Sequence, residues 1–292
     1  MPKGKLLAIG GAEYTGDDED ETKQEKQEFE RYEILKELLP SSKHKKIEVI
    51  TTGTKMHEEV KKRYQRAFHK IGANPGFMPI KDKFEAHDEK YLKRAREAEA
   101  IFFTGGDQFR LSTILGGTPI IQIIKDRYQH DKNFIVAGTS AGAMAMSSVM
   151  ITAGGHEEAL FGRDLKTTSG LGLINNCIID THFIKRGRFG RLAYAVITNP
   201  DQLGVGLGED TALIISNGDC AEVRGSGMVV IIDGQEIGQT NITSVSETEP
   251  VFVENFIVHL LVKGCRFFIK KRKLCKPAIK KSPRKLKVAH HG

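Results

Sequence analysis

Asn133-Phe134-Ile135-Val136-Ala137-Gly138-Thr139-Ser140-Ala141-Gly142-Ala143-Met144-Ala145-Met146 is the stretch whose reading decides the fold. Its first half is a short apolar run, as a buried strand requires, and the small residues after Ser140 read as the opening of a packed helix. Between them, Gly138-Thr139-Ser140-Ala141-Gly142 fits G-x-S-x-G, the pattern of a nucleophile elbow. In such an elbow the strand turns into the helix so sharply that the serine takes a strained backbone conformation. Gly138, Ala141 and Gly142 keep the neighbours small enough for the turn to close. The serine oxygen is then raised at the end of the strand, beside a helix N-terminus that favours developing negative charge. A five-residue pattern also fits ordinary turns, so the case for Ser140 rests on what surrounds it.

Working outward, strand patterns at 5–9, 47–51, 77–80 and 100–103 alternate with helix patterns at 23–39, 56–71, 88–98 and 118–129. That alternation predicts an α/β fold: a mostly parallel sheet flanked by helices, with right-handed crossovers. Ligands bind such sheets beyond the C-terminal strand ends, which gathers Gly10-Gly11, Thr104-Gly105-Gly106-Asp107-Gln108 and the Ser140 turn at one edge. After Ser140 the strand patterns are 149–151 and 177–180, then a helix at 189–198. Short C-terminal strands follow at 204–207, 211–215, 219–223 and 227–232, and 256–269 reads as a terminal hairpin. No linker or repeat interrupts this order, so residues 1–270 are expected to form one domain and 271–292 a basic, mobile tail.

The chain has 292 residues and a formal net charge of +7, enough length for a sizeable core. No apolar run approaches the roughly 18–20 residues that span a bilayer, and the N-terminus lacks a signal-peptide pattern. A cytoplasmic protein with no membrane association is expected. Cys177, Cys220, Cys265 and Cys275 form no C-x-x-C pair, so reduced thiols are expected and no metal site. Gly10-Gly11 lacks the G-x-G-x-x-G fingerprint, so no dinucleotide and no other cofactor is expected. The basic run over 270–287 reads as a solvated tail in preference to a nucleic-acid surface, and the acidic run 17–21 as a loop.

A serine nucleophile needs a base within hydrogen-bond reach and a carboxylate to orient that base. His182 stands out among ten histidines because it follows the buried-looking Ile179-Asp180-Thr181, at a strand end. Three acids are candidates for the orienting role: Glu157, Glu158 and Asp180. The oxyanion needs two backbone donors. Ala141 supplies one, and Gly106 or Asp107 is expected to supply the other. Arg186, Arg188 and Arg191 then form a cationic cluster aimed at carboxylates, placed at a helix start where helix stability alone does not favour them.

Together these stretches resemble the cyanophycinase family of serine peptidases, which also includes aspartyl dipeptidase. The resemblance runs through Gly10-Gly11, Phe103-Thr104-Gly105-Gly106-Asp107-Gln108, Gly138-Thr139-Ser140-Ala141-Gly142-Ala143 and Asp180-Thr181-His182-Phe183. It continues through Arg186-Gly187-Arg188-Phe189-Gly190-Arg191-Leu192 and Gly206-Leu207-Gly208-Glu209-Asp210-Thr211-Ala212. It implies a class I glutamine-amidotransferase-like fold, a homodimer, and a Ser–His–Glu triad with Ser140 as nucleophile, His182 as base and Glu158 as acid. It further implies that Gln108, Asp180, Thr181, Arg186, Arg188 and Arg191 contact substrate. That substrate is cyanophycin, a poly-aspartate bearing arginine on its side chains, cut to β-aspartyl-arginine by an exopeptidase. Thr181 departs from the glutamine common in the family, which loosens recognition or shifts it to another β-linked aspartyl substrate.

Overall fold

The computed structural model describes residues 1–16, 30–43, 45–154, 161 and 165–275. The acidic run 17–21, Glu157, Glu158 and residues 276–292 lie outside the described residues.

In chain order the first elements are β1 (Lys5–Ile9), α1 (Glu33–Lys36), β2 (Ile47–Ile50), α2 (His57–Lys70) and β3 (Gly76–Met78). Then come α3 (Glu89–Glu97), β4 (Ala100–Phe103), α4 (Gln108–Leu115), α5 (Pro119–His130), β5 (Ile135–Thr139) and α6 (Ala141–Ala145). β3, β2, β4, β5 and β1 lie side by side in that order, all parallel. The period of two along each strand splits the core between the two faces of the sheet. Leu6, Ala8, Ile101, Phe103 and Val136 face one way. Leu7, Ile9, Phe102, Ile135 and Ala137 face the other, under Ile34, Leu35, Tyr64 and Phe68 of the first two helices. Removing Phe102 and Phe103 from water contributes about 1.5–3 kcal/mol apiece.

α4 has no counterpart among the expected elements, in which Thr104–Gln108 is a turn leading to the helix pattern at 118–129. Asp107 caps α4: its side chain accepts from the Phe109 and Arg110 amides. The small residues of the elbow have the expected steric reason. A Cβ on Gly142 would lie 2.3 Å from the Phe103 carbonyl oxygen, and one on Gly138 2.5 Å from Gly142 backbone. α6 therefore seats directly on β4 and β5.

The second half adds β6 (Val149–Ala153), β7 (Lys166–Ser169), β8 (Cys177–Asp180), α7 (Phe189–Thr198), β9 (Leu203–Leu207), β10 (Thr211–Ser216), β11 (Cys220–Gly225) and β12 (Met228–Asp233). β13 (Ile257–Val262), β14 (Arg266–Phe268) and β15 (Lys273–Cys275) follow. β10, β11, β14 and β15 extend the main sheet antiparallel from β1, giving nine strands. A separate four-stranded sheet has the order β13-β12-β9-β8, with β8 and β9 parallel. β6 and β7 form a two-stranded ribbon.

Two expectations need correction. The stretch 256–269 is no hairpin: β13 pairs with β12 in the four-stranded sheet, whereas β14 pairs with β11 in the large one. The chain changes sheets at Lys263-Gly264, where the Gly264 amide donates to Val223. Lys273–Cys275 pairs with β14 as the edge strand, so ordered pairing continues beyond residue 270. Among the described residues, no helix is long and apolar enough to cross a membrane.

Candidate active site

Ser140 sits where the sequence places it, between β5 and α6, with φ 51° and ψ −120°. A side chain other than glycine rarely adopts such a backbone, and strain of this kind concentrates at functional sites. Nine described non-glycine residues have positive φ, and four of them cluster here: Ala12, Ser140, His182 and Asp210. Ser140 Oγ lies 2.9 Å from His182 Nε2. His182 Nδ1 lies 2.7 Å from Glu209 Oε1. This unbroken Oγ–Nε2, Nδ1–Oε1 chain is the arrangement of a nucleophile, a base and an orienting acid.

The topology explains why these three meet. β8 and β9 run parallel with Asp180 opposite Gly206, and His182 and Glu209 each lie two residues beyond their strands. Ser140 comes from the other sheet. The Gly10-Gly11 turn after β1 joins the two: the Gly10 carbonyl accepts from the His182 amide and the Gly11 carbonyl from the Asp210 amide, both at 2.9 Å. Gly11 has φ +94°, and a Cβ there would lie 2.5 Å from Cε1 and Nε2 of His182. The glycine pair is thus a cradle for the imidazole.

The carboxylate that meets His182, Glu209, is none of the three acids the sequence offers. Its strand is expected at 204–207, but the parallel pairing of β9 with β8, which brings the two strand ends together, joins stretches far apart in the chain. Burial pushes the Glu209 carboxyl upward, yet hydrogen bonds from His182 and Lys185 outweigh it and hold the group below its ordinary range. Lys185 Nζ lies 3.1 Å from Oε2. The carboxylate therefore stays charged, as an orienting acid must.

For the oxyanion, the N–H groups of Ala141 and Gly106 have no backbone acceptor among the described residues. Ala141 is the first residue of its helix, where no intrahelical acceptor exists. Asp107 does not fit the donor role proposed for it: its amide donates to the Gly53 carbonyl at 2.8 Å. The open turn depends on Gly106, at φ +132°, where a Cβ would meet Gly53 oxygen at 2.2 Å.

The expected substrate contacts divide. Gln108 Nε2 donates to the Ile151 carbonyl at 3.0 Å. Asp180 is fully buried, its carboxylate clasped by Arg191 through Nε–Oδ2 at 2.6 Å and a second bond from Nη2. Arg188 Nη1 adds a contact to Asp180 at 3.2 Å and donates to the Thr181 carbonyl at 2.7 Å. Arg191 is 5% exposed. Asp180 and Arg191 are thus an internal ion pair anchoring α7 to β8, where the sequence suggested substrate ligands. Thr181 is buried too, and its Oγ1 has no partner among the described residues. Arg186 is exposed. Asp180 is also removed as an alternative partner for His182, because its oxygens face the arginines.

A cavity of about 330 Å³ opens over Ser140 and His182, with Gly11, Gly105 and Gly106 in its lining. Its further wall is built by Glu13, Arg63 and Tyr64, none of which the sequence reading singled out.

Residues 6–223 match peptidase family S51. The chain is similar to a cyanophycinase from Trichormus variabilis and one from Nostoc sp., each 33% identical over 273 residues, covering 92% of this chain and 87% of the relative. A cyanophycinase from Geminocystis herdmanii is 33% identical over 222 residues, 76% of this chain and 81% of that protein. Among solved structures, a peptidase from an acI-B1 actinobacterium superposes with a TM-score of 0.64 at 23% identity, covering 91% of this chain and 96% of its own, which is a likeness of fold. A putative peptidase E from Listeria monocytogenes gives 0.51 at 15% identity, covering 77% and 99%. With the fold, the family match across most of the chain and the curated relatives in agreement, this chain belongs to peptidase family S51 and is a serine-type peptidase.

Proposed function

We propose that this peptidase hydrolyses arginyl-poly-aspartate to β-aspartyl-arginine, with Ser140 as nucleophile, His182 as general base and Glu209 as the acid that orients it. The observation that carries the reading is the continuous contact from Ser140 Oγ through the imidazole to Glu209, at 2.9 and 2.7 Å. The substrate class is supported by 33% identity, over nine-tenths of the chain, to proteins named cyanophycinase.

As Ser140 Oγ bonds to the scissile carbonyl carbon, its proton passes to His182 Nε2. The carbonyl electron pair moves onto oxygen, which meets the N–H groups of Ala141 and Gly106. Each such donor contributes about 10²–10³ in rate, and the positioned base about 10²–10⁴. Glu209 accepts from Nδ1–H, fixing the tautomer that leaves Nε2 free to accept and stabilising the imidazolium that forms. Collapse of the intermediate breaks the C–N bond, and Nε2–H protonates the departing amine. Water then repeats the sequence on the acyl-enzyme, regenerating Ser140.

Incubation with cyanophycin, with products read by mass spectrometry, tests the proposal. Wild type is expected to release β-aspartyl-arginine and Ser140→Ala none. No release by wild type, or equal release by the variant, refutes it. A second reading keeps the chemistry and takes short isoaspartyl or aspartyl dipeptides. It is favoured by the burial of Thr181, which sends no side chain to the rim at the position where the family commonly has glutamine. A dipeptide panel run beside the polymer separates the two.

A further inference from the structure

β1, β5, β4, β2 and β3 lie side by side in that order and run parallel, so the loops at their C-terminal ends share one edge. Ligands of such sheets bind along that edge. Ser140 follows β5, Gly105 and Gly106 follow β4, and Thr54 follows β2; all line the cavity of about 330 Å³ over the nucleophile. Further along, a second cavity of about 340 Å³ lies between the loop after β2 and the loop after β3. Lys55 and the first turn of α2, His57 to Glu59, line it from one side, and Pro79 and Lys81 from the other. Thr54 lines the first cavity and Lys55 the second, a single Cα step of about 3.8 Å. A polymer lying along the edge can therefore occupy both.

The two loops are fixed to each other. Arg110 of α4 donates from Nε to the Thr52 carbonyl at 2.9 Å and from Nη2 to the Lys81 carbonyl at 3.1 Å. Both acceptors are uncharged, so the guanidinium charge acts on its surroundings. His57 responds to it: burial first, then the Arg110 and Lys81 charges, hold the imidazole below its ordinary range. The ring stays mostly neutral at neutral pH, with Nδ1 2.9 Å from Thr51 Oγ1. The charge of this cavity is thus carried by Lys55 and Lys81 and by Glu58 and Glu59, all four exposed. Glu58 also meets Lys61 at 3.7 Å. Each unit of the proposed substrate presents the complementary pair, a free arginine carboxylate and a guanidinium.

We infer that this second cavity is a subsite for a further unit of arginyl-poly-aspartate, beyond those joined at the scissile bond. Lys55 and Lys81 take its carboxylate and Glu59 its guanidinium. The inference rests on the function proposed above and deepens it: the enzyme prefers a longer chain to the smallest cleavable one.

The test measures kcat and KM of wild type, Lys55→Gln/Lys81→Gln and Lys125→Gln on oligomers of two and four β-aspartyl-arginine units. Wild type is expected to show a KM roughly 3- to 10-fold lower for four units than for two, the worth of two exposed charge pairs. Its kcat should be similar on both, because the added contacts are away from the reacting atoms. The double variant should lose the length preference and match wild type on two units. Lys125→Gln, in a cavity beside Pro2 away from this edge, should keep it. Thermal melts should agree within a few degrees, since exposed lysines are replaced. In wild type alone, the preference should shrink as salt rises from about 0.05 to 0.5 M. Equal KM for two and four units in wild type, a preference that survives high salt unchanged, or a double variant that keeps it or weakens both oligomers alike overturns the inference and leaves the proposed function standing. A wild type inert towards every oligomer overturns both.

Discussion

Replacing Glu209 with glutamine changes one atom of the side chain and reverses the logic of the site. Glu209 Oε1 accepts from His182 Nδ1 at 2.7 Å, so the ring proton sits on Nδ1 and Nε2 faces Ser140 Oγ as an acceptor. A glutamine can turn its NH₂ towards Nδ1, which moves the ring proton to Nε2 and makes the imidazole a donor towards the serine. The equivalent acid-to-amide change in a Ser–His–Asp site costs about 10⁴ in kcat. Glu209 is 23% exposed at its side chain and also bonded to Lys185, so water and the lysine compensate part of the loss. We expect Glu209→Gln to lower kcat by about 10³-fold, roughly 4 kcal/mol of transition-state stabilisation. The assay is dipeptide release from cyanophycin, accompanied by the rate at which a serine-reactive phosphonate labels Ser140. Glu157→Gln and Glu158→Gln, made in parallel, should each stay within a few-fold of wild type. A Glu209→Gln enzyme within tenfold of wild type, or a Glu158→Gln enzyme that collapses in its place, refutes the assignment.

Gly11→Ala places a Cβ 2.5 Å from the His182 ring at a φ of +94°, so the imidazole must shift. Activity is expected to fall about 100-fold, as a displacement near 1 Å costs, with a melting-temperature loss matching about 1 kcal/mol; full activity would show that the ring has room. Asp180→Asn strips the charge from a buried site shared by Arg188 and Arg191 and should destabilise the fold by about 3–5 kcal/mol in chemical denaturation. A loss under 1 kcal/mol would argue against an anchoring role. Glu209 also makes stability depend on pH. Its folded value lies below the ordinary 4.5, so its contribution is complete above that value and disappears as pH falls through the lowered one. Lys185→Gln removes one of the groups holding it down and should move the loss to higher pH, read from melts between about pH 3 and 6. Unshifted curves would mean that His182 alone sets the depression.

What the sequence made legible, and what it did not, follows the range of the interactions involved. β5, the elbow and α6 are written in contiguous residues, because strand burial, the turn and the close seat of Gly142 on β4 are all local demands. His182 was found through the strand before it. Glu209 stayed hidden because it is joined to His182 by a strand pairing, and pairing partners leave no mark in spacing along the chain. The same holds for β13 and β14, adjacent in sequence yet belonging to different sheets. The family resemblance places Asp180 and Arg191 among the substrate contacts. Eleven positions apart, they meet inside the protein and neutralise each other, which only burial reveals. Glu13 and Arg63 were overlooked for the opposite reason: one follows a glycine turn and the other sits on a charged helix, where such residues usually face solvent.

The candidate centre lies on a seam between two sheets. His182 follows β8 of the four-stranded sheet, and Ser140 follows β5 of the nine-stranded one. Glu209 lies on the three-residue crossing from β9 to β10, so its backbone is tied to both sheets. The Gly10 and Gly11 carbonyls hold the His182 and Asp210 amides across the same seam. The two short contacts through the imidazole are therefore stitches across a join in the fold.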